Sequence, residues 1–419
     1  MNLTTETQKP LRICMITTFY PPYNFGGDGI QVWRMTNALA RAGHTVHVIH
    51  SVDAFSALGG ETSRVSNASK NEPGVSIHPL QSRAGMLSPL LTQQTGFPFF
   101  KSDQIQEILG KHHFDVIHYH NISLIGPAVL KLGNAIKLYT THEHWLICPM
   151  HVLWKFNREV CKHPTCLPCQ IAGKRPPQWW RYTSLLEKSL RHVDCIIAPS
   201  RFTLMKHQEA GINRPFEYIP HFVPDRTTPE RTEPPHSRPY FFCAGRLEKL
   251  KGFQNAIKVF KTFRDTDLLI AGAGDYENEL RTMATGLSNV RFLGKISAED
   301  MDTFYERALG VIVPSLCYEV FGLVIVEAFQ HRVPVIAHDL GALGEIVRQS
   351  NGGLLYTTSE ELESHVKSIT ADVNLRSRLA ENGYQSYLKF WTEKTYLEKY
   401  LSLVQRILHR KEIEDVSNL

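Results

Sequence analysis

"PYFFCAGRLEKLKGFQNAIKVFKTFRDTDLLIAG", Pro239–Gly272, holds an apolar run, a glycine-flanked loop, an amphipathic run and a second apolar run in succession. Tyr240–Cys243 is too short for a helix and suits a buried strand. Phe253, Ala256, Ile257 and Phe260 recur at helical spacing. Strand, helix, strand in that order is the βαβ unit of a parallel sheet. The pattern continues downstream through "VRFLG", a helix that Ser297 is placed to cap, and "GVIVP". Upstream it appears as "RICMIT", a loop rich in proline and glycine, a helical run closing on Gly43, then "TVHVIH", "DVIHYH", "AIKLYTT" and "DCIIAPS". Val223–Pro239 carries five prolines among many charges and interrupts the alternation as a linker. Residues 51–74 are polar and read as a loop, and Glu360–Lys411 is nearly all helical in pattern.

The expected architecture is α/β, with two doubly wound Rossmann-like units facing one another. Residues 1–222 form the first, with a cysteine-rich insert at about 143–172. The linker spans 223–239, the second unit 240–391, and a closing helix at about 392–419 packs back on the first unit. A chain of 419 residues has room for both. Its net charge of +5 is too weak for a nucleic-acid binder, but it suits an anionic small molecule or an anionic membrane surface. The polar first ten residues do not read as a secretory leader, and no apolar run reaches the ~18 to 20 residues of a membrane span. The expectation is a cytoplasmic chain.

Parallel sheets bind ligands at the carboxyl ends of their strands, so the loops there carry the chemistry. "AGRLEKLKG" presents Arg246 and Lys251, which can neutralise a diphosphate; a solvated basic turn is the plain alternative. "SLCYEVFGLVIVEAF", Ser315–Phe329, puts Glu319 in a loop and Glu327 inside a buried helix. They therefore do not form the facing carboxylate pair of a glycosidase. The helix start at Phe321, Gly322 and Leu323 offers amides to a phosphate, and the two carboxylates can accept from sugar and ribose hydroxyls. Gly26 and Gly27 lie in a loop whose bare backbone lets a phosphate approach, although it is not a GxGxxG fingerprint.

These stretches, with "THEHW", "IIAPSRF", "IAGAGDYENEL" and "DLGALGEIV", run in family order over most of the chain. Together they resemble the retaining glycosyltransferases of family four, also called glycosyl transferases group 1. The resemblance implies the GT-B fold of two facing Rossmann-like domains and transfer of a sugar from a UDP- or GDP-linked donor to an unidentified acceptor, with no cofactor required for catalysis. It implies that Arg246 and Lys251 neutralise the diphosphate, that Glu327 holds the ribose, and that Glu319 touches the donor sugar beside the amides of Phe321, Gly322 and Leu323. The Gly26-Gly27 loop would close over the phosphates, and His142 would sit near the sugar's C6 hydroxyl. His118 and His120 are assigned to packing. Two departures stand out: Val320 where the family often has proline, and "IPHFVP" at Ile219–Pro224 where it has "IPNGVD". The competing functions are a GT-B sugar-nucleotide epimerase and a non-catalytic nucleotide-sugar binder. The former would not use this basic loop and E-x7-E pair in the same way, and the latter need not retain Lys251, Glu319 and His142 together.

Of eight cysteines, Cys14, Cys195, Cys243 and Cys317 sit in or beside apolar runs as core thiols. Cys148, Cys161, Cys166 and Cys169 cluster as C-x12-C-x4-C-x2-C, a spacing that suits a structural zinc in a reducing compartment. His144, His151 and His163 are spare ligands, and free thiols or redox pairs are the alternative. The Trp- and Arg-rich stretch Gly173–Val193 suits either a surface helix or a peripheral contact with the inner membrane face.

Overall fold

The computed structural model describes residues 9–60, 70–225 and 235–417, so the centre of the 223–239 linker and part of the 51–74 segment lie outside the described residues. The first unit is built on strands β1 (Arg12–Ile16), β2 (Thr45–Ser51), β3 (Val75–Leu80), β4 (Val116–Tyr119) and β5 (Ile136–Thr140). A small hairpin, β6 (Trp154–Lys155) and β7 (Glu159–Val160), precedes β8 (Cys195–Ala198) and β9 (Phe216–Tyr218). Apart from the hairpin, all are parallel, in the order β3-β2-β1-β4-β5-β8-β9. The second unit holds β10 (Tyr240–Ala244), β11 (Asp267–Ala271), β12 (Val290–Gly294), β13 (Gly310–Val313), β14 (Val335–His338) and β15 (Gly353–Tyr356), parallel in the order β12-β11-β10-β13-β14-β15.

The strands at the centre of each sheet are buried along nearly their whole length, as sheets covered by helices on both faces must be. Each sheet accordingly has an apolar cluster on either side. The strand order reverses beside β1 and again beside β10. The loops that follow β1, β10 and β13 therefore open at the carboxyl edges where a crevice forms.

Two crossings join the units. Val223 is buried, and its amide donates to the Trp391 carbonyl at 3.1 Å. The helix Glu393–Ser417 then returns to the first unit, where Tyr396, Tyr400, Leu403, Val404 and Ile407 join Ile13, Met15 and Val46 in one core cluster.

The polar segment after β2 is not entirely loop, because Val52–Ala57 is helical. Ser51 caps it, accepting from the Ala54 amide at 3.2 Å, and Ala54 and Phe55 are buried beneath it. The cap and two buried side chains outweigh the polar composition around them. At Ala298–Glu306, Ser297 caps the helix, accepting from the Asp300 amide at 3.1 Å.

Candidate active site

The crevice between the units encloses about 2110 Å³. Ligand pockets usually run to ~300–1,000 Å³, so there is room for two ligands at once.

From the second unit, the loop after β10 brings Lys251 against the loop after β13. Gly252 makes this approach possible: its φ is +74°, and a Cβ there would lie 1.9 Å from the Pro314 carbonyl oxygen. The Leu316 amide donates to the Leu250 carbonyl at 2.8 Å, locking the two loops. Lys251 Nζ then donates to Glu319 Oε1 at 2.6 Å, and Ser315 Oγ donates to the same oxygen at 2.7 Å. Burial alone would raise the Glu319 pKa, but the Lys251 charge and the two donors hold it below the usual carboxylate range. Burial likewise works against the Lys251 ammonium, yet Glu319 keeps its pKa above normal. The pair is therefore ionised around neutrality. Arg246 is about half exposed on the crevice wall, with Nη1 donating to Glu248 Oε1 at 2.6 Å.

Two helix starts face each other across the opening. The helix Leu323–Gln330 begins at Gly322, and the helix Gly27–Arg41 begins at Gly26. A Cβ on Gly27 would lie 3.9 Å from Leu323 Cδ1, so the two ends are nearly in contact. First-turn amides have no partner within their own helix, and both dipoles point their positive ends at the gap.

From the first unit, His142 follows β5. Its Nε2 lies 2.9 Å from His120 Nδ1, and His120 Nε2 lies 3.2 Å from the Met15 thioether. The sulfur can only accept, so His120 carries its proton on Nε2 and accepts on Nδ1 from His142 Nε2–H. His142 Nδ1 is left with a lone pair for a ligand hydroxyl. Burial lowers the His142 pKa to about 4, with nearby Asp28 pulling the other way, so the ring is neutral around neutrality. His221 stacks on His142 at 4.9 Å between ring centroids and 11° between planes, and meets Phe321 edge-on at 5.5 Å.

His142, Arg246, Lys251, Glu319, Phe321, Gly322, Leu323, Gly26 and Gly27 all line this one crevice. Glu327 does not. Its Oε1 pairs with Arg34 Nη2 at 3.4 Å and its Oε2 accepts from the Tyr305 hydroxyl at 3.0 Å, so it links the two units beside the crevice. Val320, in place of the common proline, offers its carbonyl to Ser200 Oγ at 2.8 Å and Thr203 Oγ1 at 3.1 Å.

Sequence reasoning missed His221, which occupies the departure at "IPHFVP", as well as Asp28 and Arg34. It also gave His120 to packing, whereas the ring fixes the tautomer of His142. The signal was the i, i+2 spacing of His118 and His120, which puts both rings on one side of β4. His120→Asn is expected to lower kcat ten-fold or more with donor KM nearly unchanged, because the ring orients His142 without lining the crevice; steady-state kinetics over a donor series checks this split.

The cysteine-rich insert walls the crevice on the first-unit side through Met150, His151, Trp154, Phe156 and Cys169. Burial raises the Cys161 thiol pKa, and Cys148, Cys166 and Cys169 raise it further. Among the described residues, a gathering of three metal-ligating atoms within 4.8 Å of one another occurs at a histidine trio elsewhere and not at these cysteines.

The glycosyl transferases group 1 profile matches residues 225–386, and the glycosyltransferase family 4 profile matches residues 25–227. The two matches run on from one another, and the chain belongs to the family 4, group 1 glycosyltransferases. It is thus an enzyme of glycosyl transfer with the GT-B fold. The O-antigen chain mannosyltransferase C of Escherichia coli is 26% identical over 243 residues, covering 55% of this chain and 65% of that one. Sucrose-phosphate synthase from Thermosynechococcus elongatus superposes with a TM-score of 0.74 at 19% identity, covering 96% of this chain and all of that one. Anabaena HepE, solved with UDP-glucose, gives a TM-score of 0.66 at 17% identity, over 94% of this chain and all of that one.

Proposed function

We propose that this chain is a retaining hexosyltransferase that takes a UDP-linked sugar and passes it to the growing end of a polysaccharide or lipid-linked saccharide. The observation that carries the reading is the convergence of Lys251, Arg246 and two opposed helix starts on one crevice, an arrangement suited to a diphosphate. HepE, whose fold this chain shares, was solved with UDP-glucose, and the Escherichia coli relative is named for an O-antigen chain.

As the glycosidic bond breaks, negative charge grows on the diphosphate. Lys251, Arg246 and the first-turn amides stabilise it without reorganising, and that preorganisation is the protein's main contribution. Arg246 must leave Glu248 to take part. His142 Nδ1 accepts from a donor-sugar hydroxyl, and Glu319, held ionised by Lys251, accepts from others. Glu327 holds the ribose diol by exchanging Arg34 for it. The departing phosphate takes the acceptor's proton on the same face, so no carboxylate nucleophile is needed and configuration is retained. Transfer in this family asks for no cofactor.

The insert and the basic pair Lys174–Arg175 line the acceptor side, where they suit a phosphate-linked saccharide. Around residues 86–100, Met86, Leu87, Phe97, Phe99 and Phe100 are exposed, with Trp179 and Tyr182 on the turn packed against the helix Leu87–Thr95. Trp180 and Arg181 of the same turn are tied inward, to the Gln93, Trp145 and Leu146 carbonyls. Among the described residues no helix is long and apolar enough to cross a membrane. The apolar face is read as a peripheral contact with an anionic bilayer. Leu87→Glu with Phe100→Glu is expected to abolish co-flotation with anionic vesicles, while flotation equal to the parent would remove this contact.

A structural zinc at Cys148, Cys161, Cys166 and Cys169 would draw the four sulfurs together and stiffen the insert. Elemental analysis of tag-free protein is expected to find an equivalent of zinc that Cys166→Ser loses.

The function is tested by incubating the enzyme with UDP-glucose, UDP-galactose, UDP-N-acetylglucosamine and GDP-mannose, reading nucleoside diphosphate release, and then determining the product's anomeric configuration by NMR. Release from a UDP sugar with retention supports the reading. Inversion, epimerised donor, or binding without turnover would overturn it.

A further inference from the structure

At the edge of the first sheet, away from the crevice, three imidazoles come together from three elements. His47 lies on β2, His78 on the neighbouring edge strand β3, and His112 directly after the helix Ser102–Lys111. The β2–β3 register pairs Ile49 with His78, so His47 and His78 stand on one face as diagonal neighbours. His47 Nδ1 lies 2.8 Å from His78 Nε2, and the His112 ring centroid is 4.4 Å from that of His47. One nitrogen of each ring falls within a 4.8 Å circle. Phe114 closes one side edge-on to His47 at 5.2 Å, while His78 and His112 are half-buried and leave the site open to water.

We propose that His47, His78 and His112 form a binding site for a borderline divalent transition ion such as Zn2+, with a fourth position open to solvent. Three neutral imidazoles are the ligands that Zn2+, Ni2+ and Cu2+ prefer over Mg2+ or Ca2+. Tetrahedral ligation at ~2.0–2.1 Å sets nitrogens about 3.3 Å apart, so the ion replaces the His47–His78 hydrogen bond after a parting of roughly half an ångström. The β2–β3 ladder already fixes two ligands, and little chain entropy remains to be lost. Burial, with the other two imidazoles and Arg12 adding to it, holds the His47 pKa down near 4, so its lone pair is available around neutral pH. Arg12 near His47 and Lys111 near His78 make an anion, hydroxide or chloride, the suitable fourth ligand. The bound ion clips the edge strand β3 and the end of the helix Ser102–Lys111 to the sheet. The site is structural, since no residue of the catalytic crevice belongs to it.

The test uses tag-free protein stripped with chelator and titrated with Co2+ and Zn2+. Cobalt is expected to give tetrahedral d–d bands without a sulfur-to-cobalt charge-transfer band in the Cys148→Ser, Cys169→Ser background. His112→Asn and, separately, His78→Asn are expected to weaken this binding at least ten-fold. Both positions are half-buried, and circular dichroism verifies the fold. Zinc is expected to raise the Tm of the parent by several degrees and that of His112→Asn by less than half as much. Equal metal uptake by parent and both histidine variants, or no nitrogen-ligated cobalt in the Cys148→Ser, Cys169→Ser background, would overturn the proposal. Both readouts are independent of glycosyl transfer.

Discussion

Lys251→Ala is expected to lower turnover by about 10²–10³-fold, the cost of removing one preorganised donor from a developing oxyanion. Lys258→Ala, on the outer face of the next helix, is expected to change nothing. The Lys251 ammonium lines the same crevice as the two opposed helix starts and lies 2.6 Å from Glu319, so its loss has two consequences. The diphosphate loses a cation that does not move during reaction, and Glu319 loses the charge that keeps it ionised. The sign of the second effect follows from the two shifts. The lowered Glu319 pKa contributes stability above the unfolded carboxylate value, which is lost as pH falls through the folded one. The raised Lys251 pKa contributes stability below the unfolded lysine value, which is lost as pH rises through the folded one. The pair therefore stabilises across the neutral range, and Lys251→Ala brings a modest drop in Tm with it. Glu319→Gln added to Lys251→Ala removes the stranded charge and is expected to restore the Tm but not turnover. Turnover within three-fold of the parent in Lys251→Ala would show that the crevice does not bind a diphosphate there.

A steep loss of stability in mild acid is the second large effect expected. Burial holds the pKa of His50, His142 and His207 near 4 and that of His144 near 3, and pushes His118, His120 and His221 well below the ordinary value, with neighbouring rings adding to the shift. Unfolded imidazoles bind protons with a pKa of about 6.5, so between pH 6.5 and 4 the unfolded chain takes up protons that the folded chain refuses. Folding stability falls with pH throughout that window, by roughly 1.4 kcal/mol per pH unit for each ring. Seven rings acting together amount to on the order of 10 kcal/mol between pH 6.5 and 5, comparable with the whole stability of a domain. The Tm is expected to fall by at least about 10 °C from pH 7 to pH 5. A scanning calorimetry series across that range checks it, and a flat Tm would mean that these rings accept protons in place. Because five of the seven, His118, His120, His142, His144 and His221, lie on or just after β4 or line the crevice, activity is expected to fade together with structure.

The strands were the legible part. Sheets buried on both faces write themselves as unbroken apolar runs, so "YFFC", "LLIA" and "GVIV" announced β10, β11 and β13 without help from distant residues. The loops at their carboxyl ends were legible for the same reason, and with them Arg246, Lys251 and Glu319. What stayed hidden depends on pairs far apart in the chain. Nothing near Glu327 suggests that Arg34 reaches it from 293 residues away, and nothing in "IPHFVP" says that His221 will stack on His142. The histidine trio escaped notice for the same reason, because no short motif joins His47 to His112. The small helix Val52–Ala57 was masked by its polar surroundings, and only its cap and two buried side chains reveal it.

The returning helix Glu393–Ser417 has a consequence for biosynthesis. Tyr396, Tyr400 and Val404 complete an interior begun by Ile13 and Met15. During translation the amino-terminal half emerges with one flank of its interior bare, and it stays so until the residues of this helix have left the ribosome. A nascent polypeptide stalled before codon 393 would present an unfilled apolar trough to chaperones.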